Sequence, residues 1–155
     1  QAHYANGAKT GWQERYVSSY ASSHPWEDFA ETWAHYLHMV DTLETASAFG
    51  LRVRPKAGRN PVLEMEIDFD PCRQEDFDAL VAAWLPLTYA VNGLNHSMGQ
   101  QDLYPFVLAP EVMGKLRFVH GLIRGNSGTK RAKDPKVEQL WWAWRANCIS
   151  PGRSR

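Results

Sequence analysis

Cysteine is nearly missing from this chain of 155 residues: Cys72 and Cys148 are the only two, far apart and in no CxxC pair. That excludes a disulfide-stapled scaffold and a cysteine-built zinc knuckle, and it makes a reducing, cytoplasmic setting the expectation. An excess of one charge is missing as well. Seventeen Lys and Arg balance seventeen Asp and Glu, so the whole chain offers no field that would gather nucleic acid or an anionic membrane. No apolar run approaches the roughly 20 residues of a membrane-spanning helix, and no signal peptide is visible. No internal repeat is found. GNSGTK (125–130) lacks the GxxxxGK[ST] spacing of a phosphate loop, and no histidine is placed by the sequence to activate Cys72.

What is present reads as one helical domain with an appendage. Apolar residues make up 44% of the sequence and charged residues 22%, ordinary values for a globular protein with a core of its own. Charge is unevenly spread: from Lys115 to Arg155 there are ten basic residues against two acidic ones, and before Lys115 seven against fifteen. A basic end of this kind reads as a solvated tail. The expected division is residues 1–124 as the helical domain part, and 125–155 as a basic linker, a short Trp-rich helix opened by Pro135, and a frayed end.

Helix signals dominate the first part. Residues 1–17 read as a loop or short helix anchored by Trp12, Tyr16 and Val17. Pro25 suits the first position of a long helix, with His24 or Ser23 as its cap and Glu27 and Asp28 in the first turn, where acids favour the dipole. The pattern runs to Phe49, and Gly50 is a natural terminator with Leu51 behind it. Prolines and a glycine make 51–71 a loop, in which VLEMEIDFD (62–70) reads as a short edge strand or as an extended segment over a helix. EDFDALVAAW (75–84) predicts a second helix, Pro86 starts or kinks the next, and LTYAVNGLNHSMG (87–99) predicts a further one. Pro110 opens a helix through about Ile123. Asp70 reads as a cap before Pro71, and Asn92, Asn95 and His96 as surface or capping polarity, with a cleft wall as the alternative. The fold class is mainly α, with at most a short edge strand.

The first helix carries the chemistry. Trp26, Ala30, Trp33, Leu37 and Val40 fall within an arc of about 80°, which predicts the core stripe. Glu27, Glu31, Ala34 and His38 form a second row along its border. Partly buried carboxylates there need an ion-pair partner, a proton or a bound cation, because burying an unpaired charge costs several kcal/mol. The plain alternatives are that Glu27 serves only the helix N-terminus and that Glu31 and His38 pair with arginines.

Tyr20-(six residues)-Glu27-Asp28-Phe29-Ala30-Glu31-Thr32-Trp33-Ala34 resembles the downstream half of a gluzincin-type zinc site, in the form found in lethal-factor-like toxins. The wider run SSYASSHPWEDFAETWAHYLHMVDTLETASAFGL, followed by PLTYAVNGLNHSMG and DLYPFVL, is similar to a bacterial family of zinc-binding metallopeptidases. The resemblance covers about residues 11–123. It implies a helical C-terminal subdomain of a zincin-like enzyme acting on a peptide or protein substrate. Glu27 would be the third protein ligand of Zn2+, joining two histidines of another helix. Glu31, with His38 further along the row, would support the ligating imidazoles from behind. Tyr20 would face the oxyanion that develops on the peptide carbonyl.

Such enzymes also need HExxH on a helix. The six histidines of this chain are His3, His24, His35, His38, His96 and His120; none is followed by Glu and no two are four apart. In the resembled family that helix lies upstream, and this chain starts at Gln1. The expectation is therefore a C-terminal piece that supplies one zinc ligand and no general base, binds Zn2+ weakly or not at all alone, and has the HExxH segment as its partner. A di-iron bundle is disfavoured because it needs Glu-x-x-His and Ala34 stands three residues after Glu31. A non-catalytic helical interaction module or a degenerate family member is the remaining alternative. The interaction module is suggested by Trp141, Trp142 and Trp144 beside Lys130, Arg131, Lys133 and Lys136.

Overall fold

A computed structural model describes residues 7–8, 10–56, 63–104 and 108–125. The expected Trp-rich helix and frayed end, with Cys148, lie outside the described residues. Three helices carry the fold: α1 (Pro25–Ala48), α2 (Phe77–Ser97) and α3 (Pro110–Arg124). Two short 3-10 turns, Trp12–Glu14 and Tyr20–Ser23, precede α1. Strands β1 (Arg52–Val53) and β2 (Met65–Glu66) pair antiparallel, Arg52 opposite Glu66 and Val53 opposite Met65. The class is mainly α, as expected, although the edge strand has a partner of its own.

The ends of α1 follow from local chemistry. His24 is extended and its Nδ1 accepts the Trp26 N–H at 3.2 Å, while Pro25 occupies the first helical position. At the far end Gly50 takes φ 62°, which lets Gly50 N–H reach the Ser47 carbonyl and Leu51 N–H reach the Ala46 carbonyl, both at 2.9 Å.

The buried face of α1 is not the stripe that periodicity predicts. Thr32, His35, Tyr36, Met39, Val40, Leu43 and Ala46 are buried. Of the expected stripe only Val40 is among them; Trp26 is 75% exposed. The helix carries two arcs of equal length; α2 and α3 cover the one through Tyr36, Met39 and Leu43, and of the other Trp33 and Leu37 pack half-buried against the core. Burial follows the covering element, not the larger side chain.

Residues 77–97 form one helix where the sequence suggests a break or restart at Pro86. Asp76 starts it, accepting the Asp78 N–H at 2.9 Å. Pro86 removes one donor from the helix interior and is itself buried. The missing bond is tolerated because Trp84, Leu87 and Thr88 around it are packed in the core. Made continuous, α2 has the length and a mean hydropathy of 1.2 sufficient to cross a membrane, which the two separate segments lack. Half of that apolar stretch is buried inside the protein.

Tyr36, Met39, Val40 and Leu43 of α1 meet Leu80 and Trp84 of α2 and Val112, Leu116 and Val119 of α3 in one core. His120 joins all three helices. Its Nε2 lies 2.8 Å from the Glu75 carbonyl oxygen, which can only accept, so Nε2 carries the proton and Nδ1 accepts the Tyr36 hydroxyl at 3.0 Å. Burial lowers the His120 pKa, opposed by the Glu75 carbonyl, which favours the charged ring. Outside the core, Arg117 pairs with Asp78 at 2.6 Å, and Arg124 donates to the Cys72 and Pro71 carbonyls.

Candidate metal centre

The sequence-predicted residues converge only in part. The Tyr20–Ser23 turn lies directly against α1, and the Tyr20 side chain is 40% exposed. Glu27 sits half-buried in the first turn of α1 and has no hydrogen bond or ion pair among the described residues. Its neighbour Asp28 is fully engaged. Lys115 Nζ of α3 lies 2.8 Å and 2.7 Å from its two oxygens, donates to the Arg15 carbonyl at 2.6 Å, and stands 4.4 Å above the Tyr16 ring. Glu31 is half-buried and its Oε2 accepts the Ser18 hydroxyl at 3.0 Å.

Helix geometry sets what these groups can share. Glu27 and Glu31 are one turn apart, about 6 Å along the axis, whereas His38 is about 16 Å from Glu27. His38 is exposed, with its ring 6.0 Å from that of Tyr104. The fold thus gathers the Tyr20 turn, Glu27 and Glu31 at the N-terminal end of α1 and leaves His38 at mid-helix. None of the row of Glu27, Glu31, Ala34 and His38 is part of the buried face of α1: the two glutamates are half-buried and Ala34 and His38 are exposed.

His35 is a core residue. It is 8% exposed, its ring sits edge-on to Trp84 at 6.2 Å and Tyr104 at 5.8 Å, and its Nε2 has no hydrogen bond among the described residues. Burial lowers its pKa to about 4, with the nearby His38 acting in the same direction.

Asn92 and Asn95 shape a loop. Asn92 donates to the Tyr104 carbonyl at 2.9 Å and accepts the Leu103 N–H at 3.1 Å, and Asn95 donates to the Gln101 carbonyl at 3.1 Å. His96 pairs with Asp102 at 2.7 Å. These bonds lay Tyr104 against Trp84, ring centroids 5.0 Å apart. Asp70 caps a turn and not a helix, accepting the Cys72 N–H at 2.9 Å across Pro71.

Among the described residues no three His, Cys, Asp or Glu side chains converge on a point that could hold a metal ion. Glu27 fits the part of a single donor: it is half-buried and makes no hydrogen bond or ion pair among the described residues. Asp28 does not, because Lys115 holds both its oxygens. A catalytic zinc set built on Glu27 needs its imidazoles from another segment.

Sequence reasoning misses Ser18 and Lys115. Ser18 has no periodic signature. Lys115 stands four residues after Glu111, the favourable order for a pair along one helix, yet Glu111 pairs with Arg15 at 3.2 Å and Lys115 crosses to Asp28.

Fold and site together define a mainly helical unit whose long first helix opens on a carboxylate with no partner among the described residues. The sequence profile of a family described as "Putative zinc-binding metallo-peptidase" matches residues 1–122, and the chain belongs to that family. Uncharacterized proteins of Mycobacterium bovis and of two Mycobacterium tuberculosis strains are each 43% identical to it over 121 residues, covering 78% of this chain and 33% of theirs. The chain thus spans about a third of the length of the curated relatives it matches. No solved structure matches it.

Proposed function

We propose that this chain supplies the downstream part of a mononuclear zinc metallopeptidase centre, with Glu27 as the third protein ligand. The observation that carries the reading is the contrast between two adjacent carboxylates. Asp28 is saturated by Lys115, while Glu27, equally placed in the first turn of α1, keeps both oxygens uncommitted among the described residues. Membership in a zinc-binding metallopeptidase family supports a metal as the missing partner.

In this reading two histidines and the general-base glutamate come from an HExxH helix outside these 155 residues. Bound zinc would supply Lewis acidity toward a peptide carbonyl. Glu27 would fix the third protein coordination position. Glu31, one turn on, would accept the free ring N–H of a ligating histidine, a role that sets the tautomer and orientation of that ring. The Tyr20 hydroxyl would donate to the oxygen on which negative charge develops during attack on the peptide bond. The chain contributes no general base of its own, so by itself it does not hydrolyse peptides.

Calorimetry of the 155-residue chain with zinc tests the first half: weak or no binding is expected, and a tight one-to-one site contradicts it. In the complete polypeptide carrying HExxH, Glu27→Gln is expected to empty the zinc site. Tyr20→Phe is expected to keep the metal and lower kcat by about 100-fold or more. Full zinc content in the first variant together with full activity in the second removes both roles.

A further inference from the structure

We infer that Ser18 is a positioning residue for Tyr20. The inference rests on the roles proposed above for Tyr20 and Glu27 and adds a residue to them. Ser18 lies half-buried between the two 3-10 turns. Its Oγ donates to Glu31 Oε2 at 3.0 Å and accepts the Ala21 N–H at 3.0 Å. A hydroxyl has one hydrogen and two lone pairs, so both bonds coexist.

The two bonds link the turn to the helix. Ala21 follows Tyr20 directly and is fully buried, so fixing its amide fixes the peptide on which Tyr20 stands. The turn is closed further by Ser22, whose hydroxyl and N–H both donate to the Ser19 carbonyl, at 2.7 Å and 3.2 Å. At its upstream end the segment is held by Lys115 on the Arg15 carbonyl, and at its downstream end by His24 as the cap of α1. Ser18 is the link in the middle. It ties the Tyr20 turn to Glu31, one helical turn from Glu27, and so sets the phenol in register with the carboxylate proposed as ligand. Glu31 would then have two tasks on two oxygens: Oε2 holds the turn, and Oε1, which makes no hydrogen bond among the described residues, would be left to accept the ring N–H of the proposed ligating histidine. A misplacement of about 1 Å at a catalytic group is enough to lower a rate by about 100-fold.

The test uses Ser18→Ala and Ser18→Thr. In the 155-residue chain, amide hydrogen exchange at Ala21 should quicken at least about tenfold in Ser18→Ala and stay near the parent rate in Ser18→Thr, which keeps the acceptor. The urea midpoint, followed alongside, should be nearly the same in all three. In the complete zinc-loaded polypeptide, Ser18→Ala should lower kcat with KM and zinc content unchanged, and Ser18→Thr should restore most of the loss. Unaltered Ala21 exchange in Ser18→Ala overturns the inference, as does a kcat that does not move. Zinc retained in Glu27→Gln overturns the underlying metal reading instead. The two failures are distinguishable because exchange at Ala21 needs no metal.

Discussion

The two halves of α1 are built from similar residues and used in opposite ways. Past Thr32 the helix is a core element, with Tyr36, Met39, Val40 and Leu43 almost wholly buried. Before it, Trp26 is 75% exposed, Phe29 41%, and Ala30 is also open to solvent. An apolar arc therefore marks a core only where another element covers it, and the uncovered end of this one lies beside Glu27, which has no partner among the described residues. Stability measurements can break this contrast. Leu43→Ala is expected to cost about 2–5 kcal/mol and Trp26→Ala less than about 0.5 kcal/mol, read as shifts in urea unfolding. Equal costs would mean that the aromatic end of α1 is structural after all.

The buried half of α1 also holds an acid-sensitive group, and α3 holds another. His35 titrates near 6.5 in an unfolded chain and at about 4 when folded, so the unfolded state takes up the proton first as pH falls. The stability supplied by the neutral ring is complete above about pH 6.5 and is lost as pH drops from there toward about 4, by up to about 3 kcal/mol. His120, also lowered by burial, acts in the same direction. Urea midpoints at neutral pH and near pH 4.5 should therefore diverge more for the parent chain than for His35→Phe. The carboxylates common to both chains cancel in that difference. An identical pH dependence in the two would show that the ring is hydrated.

Much of the fold is legible in the sequence because it rests on local chemistry. His24, Pro25 and Gly50 announce the ends of α1, and Pro110 the start of α3, within a single turn of sequence each. What is not legible depends on contacts across the chain. Pro86 looks like a break until its neighbours Trp84 and Leu87 are seen in the core. The rotation of α1 depends on which side α2 and α3 approach, and periodicity offers two arcs with no means to choose. At the site, Glu27 and Glu31 can be picked out by spacing, but their partial burial does not come from the border of the stripe that periodicity predicts. The partners that tell Glu27 and Asp28 apart cannot be picked out. Lys115 is 87 residues from Asp28, and its local neighbour Glu111 is drawn away by Arg15.

That long-range pair carries the next expected effect. Lys115→Met removes the cation shared by Asp28, the Arg15 carbonyl and the Tyr16 ring, with both partners of the ion pair about a quarter exposed. Charge-assisted bonds in such a setting suggest a loss of about 1–3 kcal/mol, smaller at high salt. Denaturation at two ionic strengths measures it, and a loss independent of salt would point to packing in place of charge.

The smallest effect is the most informative about the site. Glu27 and Asp28 share the first turn of α1, where a negative charge favours the helix dipole by about 0.3–1 kcal/mol. Without metal, Glu27→Gln should forfeit no more than that, because no bond to the rest of the described chain is lost with it. Asp28→Asn should cost more, since it also weakens the hold of Lys115. The comparison isolates the Glu27 carboxylate from everything the two positions have in common. If Glu27→Gln destabilises the metal-free chain as much as Asp28→Asn, its charge is already answered by a cation within the protein, and it is not held in reserve for zinc.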